Sequence, residues 1–402
     1  MKMIILRSKR FVLLSGFFTG CLLSFLISKN KNRVTFVCNE AGLFGGNIRA
    51  LFSHAFETSK NTHFNIVTSS RETHQQLKTL GFDSKYYPSV GAVWSLLRSK
   101  LVIVECGLRI ELCGICAFGN VVQLWHGANL KYMVKEWYTK QPSEKNLKQL
   151  IYWIKINVPK YTFILSPSTF YMENTFRTSF NSHEVFVAGY PRNDLFFRSE
   201  KERDYWGSSS EIVKKAKLHL ENKGKVVVYC PTWRDKGNFI DNVIPFHEEK
   251  LINFLKKNNI LLVVKKHHRD PRQLISQAHP LVEIYPHDKD VYLLLKHSSL
   301  LVTDYSSIFF DYLLLDKPVI FYTFDYDIYV ERDRSFQCSY DDFTPGKKCQ
   351  NEDELYVEIE SALGMANYYA EERHKMKTLA FDSIPCSDSS DRVWQKCLQF
   401  LC

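Results

Sequence analysis

Residues 300–322 read LLVTDYSSIFFDYLLLDKPVIFY. The run 300–303 is short and apolar, as a strand buried on both faces of a parallel sheet should be. It ends at Asp304. A helix is predicted from Ser306 or Ser307 through about 315, and 319–322 returns to the strand pattern. A strand, a helix and a second strand in so short a stretch argue for a parallel sheet with helices on its faces.

The same alternation runs outward in both directions. Strands are predicted at 34–38, 63–68, 101–105, 121–125, 161–165 and 184–188, then at 225–230, 260–264 and 283–285. Helices are predicted over 47–58, 90–99, 246–258 and 290–298, with another from about Ser168. The polar stretch near 198–210 is the best linker. The expected architecture is α/β, two doubly wound Rossmann-type domains facing a cleft, over residues 31–197 and 198–402. Gly42, Gly45 and Gly46 follow the first strand, but their spacing is not the Gly-x-Gly-x-x-Gly dinucleotide fingerprint.

A chain of 402 residues with 45% hydrophobic and 24% charged residues can bury two large cores. Its net charge of +10 favours anionic partners. No basic helix interleaved with aromatics is present, so the partners are expected to be phosphorylated substrates and anionic lipid rather than nucleic acid. The 11 cysteines form no disulfide framework and read as reduced, cytosolic thiols. Cys113 and Cys116 have a Cys-x-x-Cys spacing, but no second pair follows at zinc-ribbon distance, and no metal is expected. Residues 11–28 are uncharged, with Lys2, Arg7, Lys9 and Arg10 before them and Lys29, Lys31 and Arg33 after. Residues 1–30 are therefore expected to be a membrane anchor, spanning or half-inserted.

In open α/β sheets ligands bind beyond the carboxyl ends of the strands, so the residues that follow each apolar run are the informative ones. Trp125-His126-Gly127, with Asn129 and Lys131, puts an imidazole at such an end, where it can accept a proton near neutral pH or merely cap backbone. Arg234, in Pro231-Thr232-Trp233-Arg234-Asp235, suits a phosphate, or pairs with its neighbour Asp235. The run Lys265-Lys266-His267-His268-Arg269 is either a cationic pocket for a pyrophosphate or a solvated charge run. Asp304, Ser306 and Ser307 stand at a helix start, as an N-cap, a phosphate site or both.

These clusters, in this order, resemble the CDP-glycerol glycerophosphotransferase family of teichoic-acid and capsule synthesis. The resemblance runs from about Arg33 to about Leu363. Its specific elements are Trp125-His126-Gly127, Gly189-Tyr190-Pro191-Arg192-Asn193-Asp194, Pro231-Thr232-Trp233-Arg234, and the block Thr303 to Asp311 with Asp316-Lys317-Pro318. Two departures stand out. His268 replaces the usual Pro after Lys-x-His, which aligns His267 with the family histidine through Lys265 and leaves His268 as the alternative. Ala128-Asn129 replaces a common Thr-Pro.

The resemblance implies a GT-B-like pair of domains, the second binding the nucleotide. It implies transfer of glycerol phosphate, or ribitol phosphate, from a CDP-polyol to a lipid-linked polymer at the cytoplasmic face of the cell membrane, with release of CMP. No cofactor and no obligatory metal are implied. His126 and His267 are the expected catalytic residues. Arg234, Lys265, Asp304, Ser306 and Ser307 are expected on the donor, and Gly127, Asn129, Lys131, Arg192, Asn193 and Asp194 at the acceptor or cleft. A nucleotide-sugar glycosyltransferase of the same fold, or a non-catalytic scaffold, remains open at this point.

Overall fold

A computed structural model describes residues 2–131, 133, 147–232, 246–266, 278–332, 336–382 and 387–401. The chain divides into two compact units. The first comprises Met1–His126, Met133–Asp194 and Ile384–Cys402, and the second Gly127–Tyr132 and Leu195–Ser383.

Among the described residues the first unit is built on seven parallel strands: β1 (Asn30–Val37), β2 (His63–Thr68), β3 (Ser84–Tyr86), β4 (Ser99–Val104), β5 (Asn120–Gln123), β6 (Phe163–Ser166) and β7 (Val185–Val187). Their order is β3-β2-β1-β4-β5-β6-β7. The described residues of the second unit form six: β8 (Lys225–Cys230), β9 (Ile260–Val264), β10 (Val282–Ile284), β11 (Leu300–Thr303), β12 (Val319–Tyr322) and β13 (Lys348–Cys349), in the order β10-β9-β8-β11-β12-β13. Central strands such as β9 and β11 are buried along their whole length, which is why they read as unbroken apolar runs. Strand order reverses between β1 and β4, and again between β8 and β11. In sheets of this kind such a reversal opens a crevice at the carboxyl ends.

Two expectations change. The last residues belong to the first unit, not the second. The helix Ser389–Leu398 lies with helix α2 (Gly46–Thr58), and its fully buried Trp394 donates its indole N–H to Ser59 Oγ at 2.8 Å. Asp194 fixes the start of that helix. Its two carboxylate oxygens accept the amide N–H groups of Ser389 and Ser390, each at 2.9 Å. No local signal in the sequence marks this return, because the partners lie 195 and 196 residues apart.

The second concerns the spanning alternative for the N-terminal segment. Among the described residues no helix is long and apolar enough to cross a bilayer. The helix α1 covers Lys2–Leu26, but cations occupy its first part and the helix ends at Leu26, leaving fewer than the roughly 20 apolar residues a crossing requires. One face of α1, with Leu14, Phe17 and Ser24, is buried in the first unit. Its backbone meets the helix Ile110–Ile115 so closely that a Cβ at Gly114 would lie 2.1 Å from Phe17 O. The strand β1 begins at Asn30 rather than 34, directly after this helix.

Asp194→Ala should remove both capping interactions of the C-terminal helix and destabilise the first unit by roughly 1–3 kcal/mol, read from urea denaturation. An unchanged midpoint would refute that role.

Candidate functional site

In the first unit, polar side chains gather where β4 and β5 end. Val104 and Gln123 are level in the sheet, so the residues that follow them, Glu105-Cys106 and Leu124-Trp125-His126, emerge side by side. His126 is solvent-exposed. Its Nδ1 lies 3.0 Å from the carbonyl oxygen of Glu105. A carbonyl only accepts, so Nδ1 carries the proton in this hydrogen bond and Nε2 keeps its lone pair. Although the residue is exposed as a whole, desolvation of its ring by the protein packed around it, with the Arg192 guanidinium as a lesser cause, holds the imidazole pKa below its ordinary value against the opposing effect of the Glu105 hydrogen bond. A neutral ring with one fixed tautomer and an accepting Nε2 is a competent proton acceptor.

Trp125, immediately before it, has φ +55°, in the left-handed region that a bulky residue seldom enters. Three contacts hold this turn. Gln123 Oε1 accepts the Trp125 N–H at 3.0 Å, the side-chain amide of Asn47 donates to Trp125 O at 2.8 Å, and Arg192 donates to His126 O at 2.9 Å. The indole lies against the imidazole with ring centroids 4.2 Å apart.

The start of α2 completes this edge. Ile48 N–H donates to the Glu105 carboxylate at 3.1 Å. Gly46 has φ +54°, and a Cβ there would sit 3.0 Å from the same carboxylate. The glycines after β1 thus let a carboxylate cap a helix, rather than cradle a dinucleotide. Arg192, Asn193 and Asp194 are all buried. The structure gives Arg192 to the His126 turn and Asp194 to the C-terminal helix.

In the second unit β8 and β11 end level, with Cys230 opposite Thr303. Asp304 is 1% exposed. Its carboxylate accepts the amide N–H of Thr232 at 2.8 and 3.0 Å and that of Tyr305 at 2.5 Å. Ser306 and Ser307 follow, half-buried, before the short helix Ile308–Leu313. Lys265, at the end of β9, donates to the carbonyls of Pro286 at 2.6 Å and Lys289 at 2.8 Å, and burial pushes its pKa down to about 8. The segment Gly127–Tyr132 is held in this unit by the bond from Gln337 N–H to Leu130 O, at 2.9 Å. It carries the buried Gly127, the half-buried Asn129, and Lys131, whose ammonium lies 5.0 Å from the Tyr329 ring centre. Arg234, His267 and His268 lie outside the described residues.

Within the first unit the structure therefore brings His126 and Arg192 together. Within the second it gathers Asp304, Ser306 and Ser307 beside Thr232. Sequence reading passed over Asn47, at a helix start, and Glu105 and Gln123, whose only signal was their place at strand ends. Cys113 and Cys116 are buried, and burial raises both thiol pKa values.

A model of the family described as CDP-Glycerol:Poly(glycerophosphate) glycerophosphotransferase matches residues 21–398. The chain is 25% identical over 386 residues to a teichoic acid poly(glycerol phosphate) polymerase of Bacillus spizizenii, covering 93% of each protein. It is 28% identical over 284 residues to a teichoic acid glycerol-phosphate transferase of Staphylococcus aureus, covering 68% of this chain and 70% of that one. A solved structure of a single-residue variant of the wall teichoic acid polymerase TagF superposes with a TM-score of 0.77 at 17% identity, covering 99% of this chain and 96% of that one. At that identity the likeness shows the fold.

An NMR titration of His126 should give a midpoint below the ordinary histidine value of about 6.5. The ring is then neutral at pH 7 and gains its proton only as pH falls through that midpoint. A midpoint above the ordinary value would overturn the reading of this environment.

Proposed function

The chain belongs to the CDP-glycerol:poly(glycerophosphate) glycerophosphotransferase family, and we propose that it transfers glycerol phosphate from CDP-glycerol to a hydroxyl of a lipid-linked teichoic-acid or capsule polymer. The observation that carries the mechanism is the fixed tautomer of His126. In the proposed step the acceptor hydroxyl gives its proton to His126 Nε2. Its oxygen forms the new bond to the phosphorus that bears the glycerol. The bond from that phosphorus to the bridging oxygen breaks in line, and CMP leaves.

The second unit is assigned the donor. Ser306, Ser307 and Arg234 would hold the pyrophosphate, and His267 would stabilise charge on the phosphoryl group and the departing CMP. Positioning and charge stabilisation carry most of the catalysis in phosphoryl transfer. Lys265 supports this role through the loop carbonyls it binds. Gly127, Asn129, Lys131 and Asn193 are assigned to the acceptor side.

Purified protein incubated with a lipid-linked acceptor should release CMP from CDP-glycerol and not from CDP-ribitol, and should leave UDP-sugars intact. His126→Ala should lower kcat by about 10²- to 10⁴-fold while retaining the fold. Turnover of a sugar nucleotide alone would replace this reading with glycosyl transfer.

The reading places the enzyme on the cytoplasmic face of the cell membrane, where CDP-activated donors are made. Support comes from α1. Opposite its buried face, Phe11, Phe18, Leu22 and Phe25 are exposed, and an exposed Lys31 follows. An apolar stripe beside cations suits a helix lying on anionic lipid. Phe18→Glu with Phe25→Glu should abolish co-sedimentation with anionic vesicles and leave turnover of a water-soluble acceptor unchanged. Undiminished co-sedimentation would move the membrane contact elsewhere.

A further inference from the structure

We propose that Asn47 is a positioning residue for the transfer reaction, holding the strained Trp125 turn so that His126 keeps the tautomer its role as base requires. This rests on the reading of His126 given above. Asn47 is the second residue of α2 and is fully buried. It bridges two distant pieces of chain. Its Nδ2 donates to Trp125 O at 2.8 Å, and its Oδ1 accepts the backbone N–H of Arg192 at 3.2 Å. One partner lies just before His126, and the other carries the guanidinium that binds His126 O.

The chemistry of the two partners explains why an amide stands here. Trp125 O can only accept and Arg192 N–H can only donate, so the bridging side chain must supply one donor and one acceptor. The same requirement fixes which way the amide points. A carboxylate would set oxygen against the Trp125 carbonyl, and an apolar side chain would leave two buried backbone groups unsatisfied. Trp125 also bears the cost of a left-handed φ of +55°. A turn of that kind persists only where surrounding contacts over-determine it. Release of its carbonyl lets the turn relax toward ordinary backbone angles. The imidazole then moves off the Glu105 carbonyl, which is 3.0 Å away in the held state. Without that acceptor Nδ1 no longer keeps the proton preferentially, and Nε2 ceases to be the reliable base.

The test compares Asn47→Asp, which is isosteric, keeps the acceptor for Arg192 N–H and sets an oxygen against the Trp125 carbonyl, with Asn47→Ala, which loses both bonds. Circular dichroism establishes folding, and the Asp variant serves if the Ala variant does not fold. Imidazole ¹⁵N shifts of His126 should show one tautomer in the wild type, protonated at Nδ1, and a mixture in the variants. Such a displacement should lower kcat by about tenfold to a hundredfold, with KM for CDP-glycerol held within about twofold because no donor contact is lost. A folded Asn47→Asp enzyme with the wild-type tautomer overturns the positioning role. A mixed tautomer with wild-type kcat overturns the link to catalysis. His126→Ala, measured alongside, shows which claim has failed: if it is inactive while Asn47→Asp matches the wild type, the base stands and Asn47 does not position it.

Discussion

At the carboxyl end of a buried parallel strand the backbone runs out of sheet partners while still inside the protein. Its N–H and C=O groups must find side chains instead, because an unpaired buried group costs as much as a lost hydrogen bond. Much of the polar chemistry of this protein answers that requirement. Asn47 satisfies the carbonyl of Trp125, Asp304 the amides of Thr232 and Tyr305, and Lys265 two loop carbonyls beyond β10. At the opposite, amino end of the sheet, Lys317 likewise satisfies the carbonyls of Lys296 and Ser298, at 2.8 and 2.6 Å. A strand edge built this way is stiff, which is what a site relying on geometry needs.

The same requirement explains why sequence patterns overstate the number of residues free to touch a substrate. Lys265 at the end of β9 has the character of a phosphate ligand in a linear reading, yet its ammonium is already committed, and burial lowers its pKa to about 8. Arg192 and Asp194 sit in a run that reads as recognition chemistry. One holds the backbone of His126, and the other seats a helix from the far end of the chain. A polar residue in a specific motif can be invariant in its geometry because the fold needs it, and still serve the reaction through the residue it holds.

The sheets were legible because burial on both faces forces apolar runs, and the runs at 260–264 and 300–303 match β9 and β11 residue for residue. Of the edge strands, β7 and β10 were legible and β3 and β13 were not. Ser84–Tyr86 and Lys348–Cys349 are short and carry lysines, as edges do, and so they show no apolar run. The place of His126 near a strand end was legible because it comes just after an apolar run, although β5 itself stops at Gln123. Asn47 was not, since an Asn at a helix start looks the same whether it caps its own helix or reaches partners 78 and 145 residues away. The N-terminal helix misled for a related reason. Hydrophobicity alone does not distinguish a helix that crosses lipid from one that buries one face against protein and exposes the other.

The two sheets meet the same requirement with different side chains, and the difference bears on how each serves the proposed reaction. In the first unit the bridging residue faces one carbonyl and one N–H, and it is an amide. In the second the bridging residue accepts the backbone N–H groups of Thr232 and Tyr305, and it is a carboxylate. A carboxylate set directly against a pyrophosphate would repel it, and Asp304 is turned away into the three contacts its oxygens make with Thr232 and Tyr305. In the proposed reaction Asp304 would then act through the backbone: it ties the residues after β8 to the end of β11 and leaves Ser306 and Ser307, beside it, to the role proposed for them on the donor.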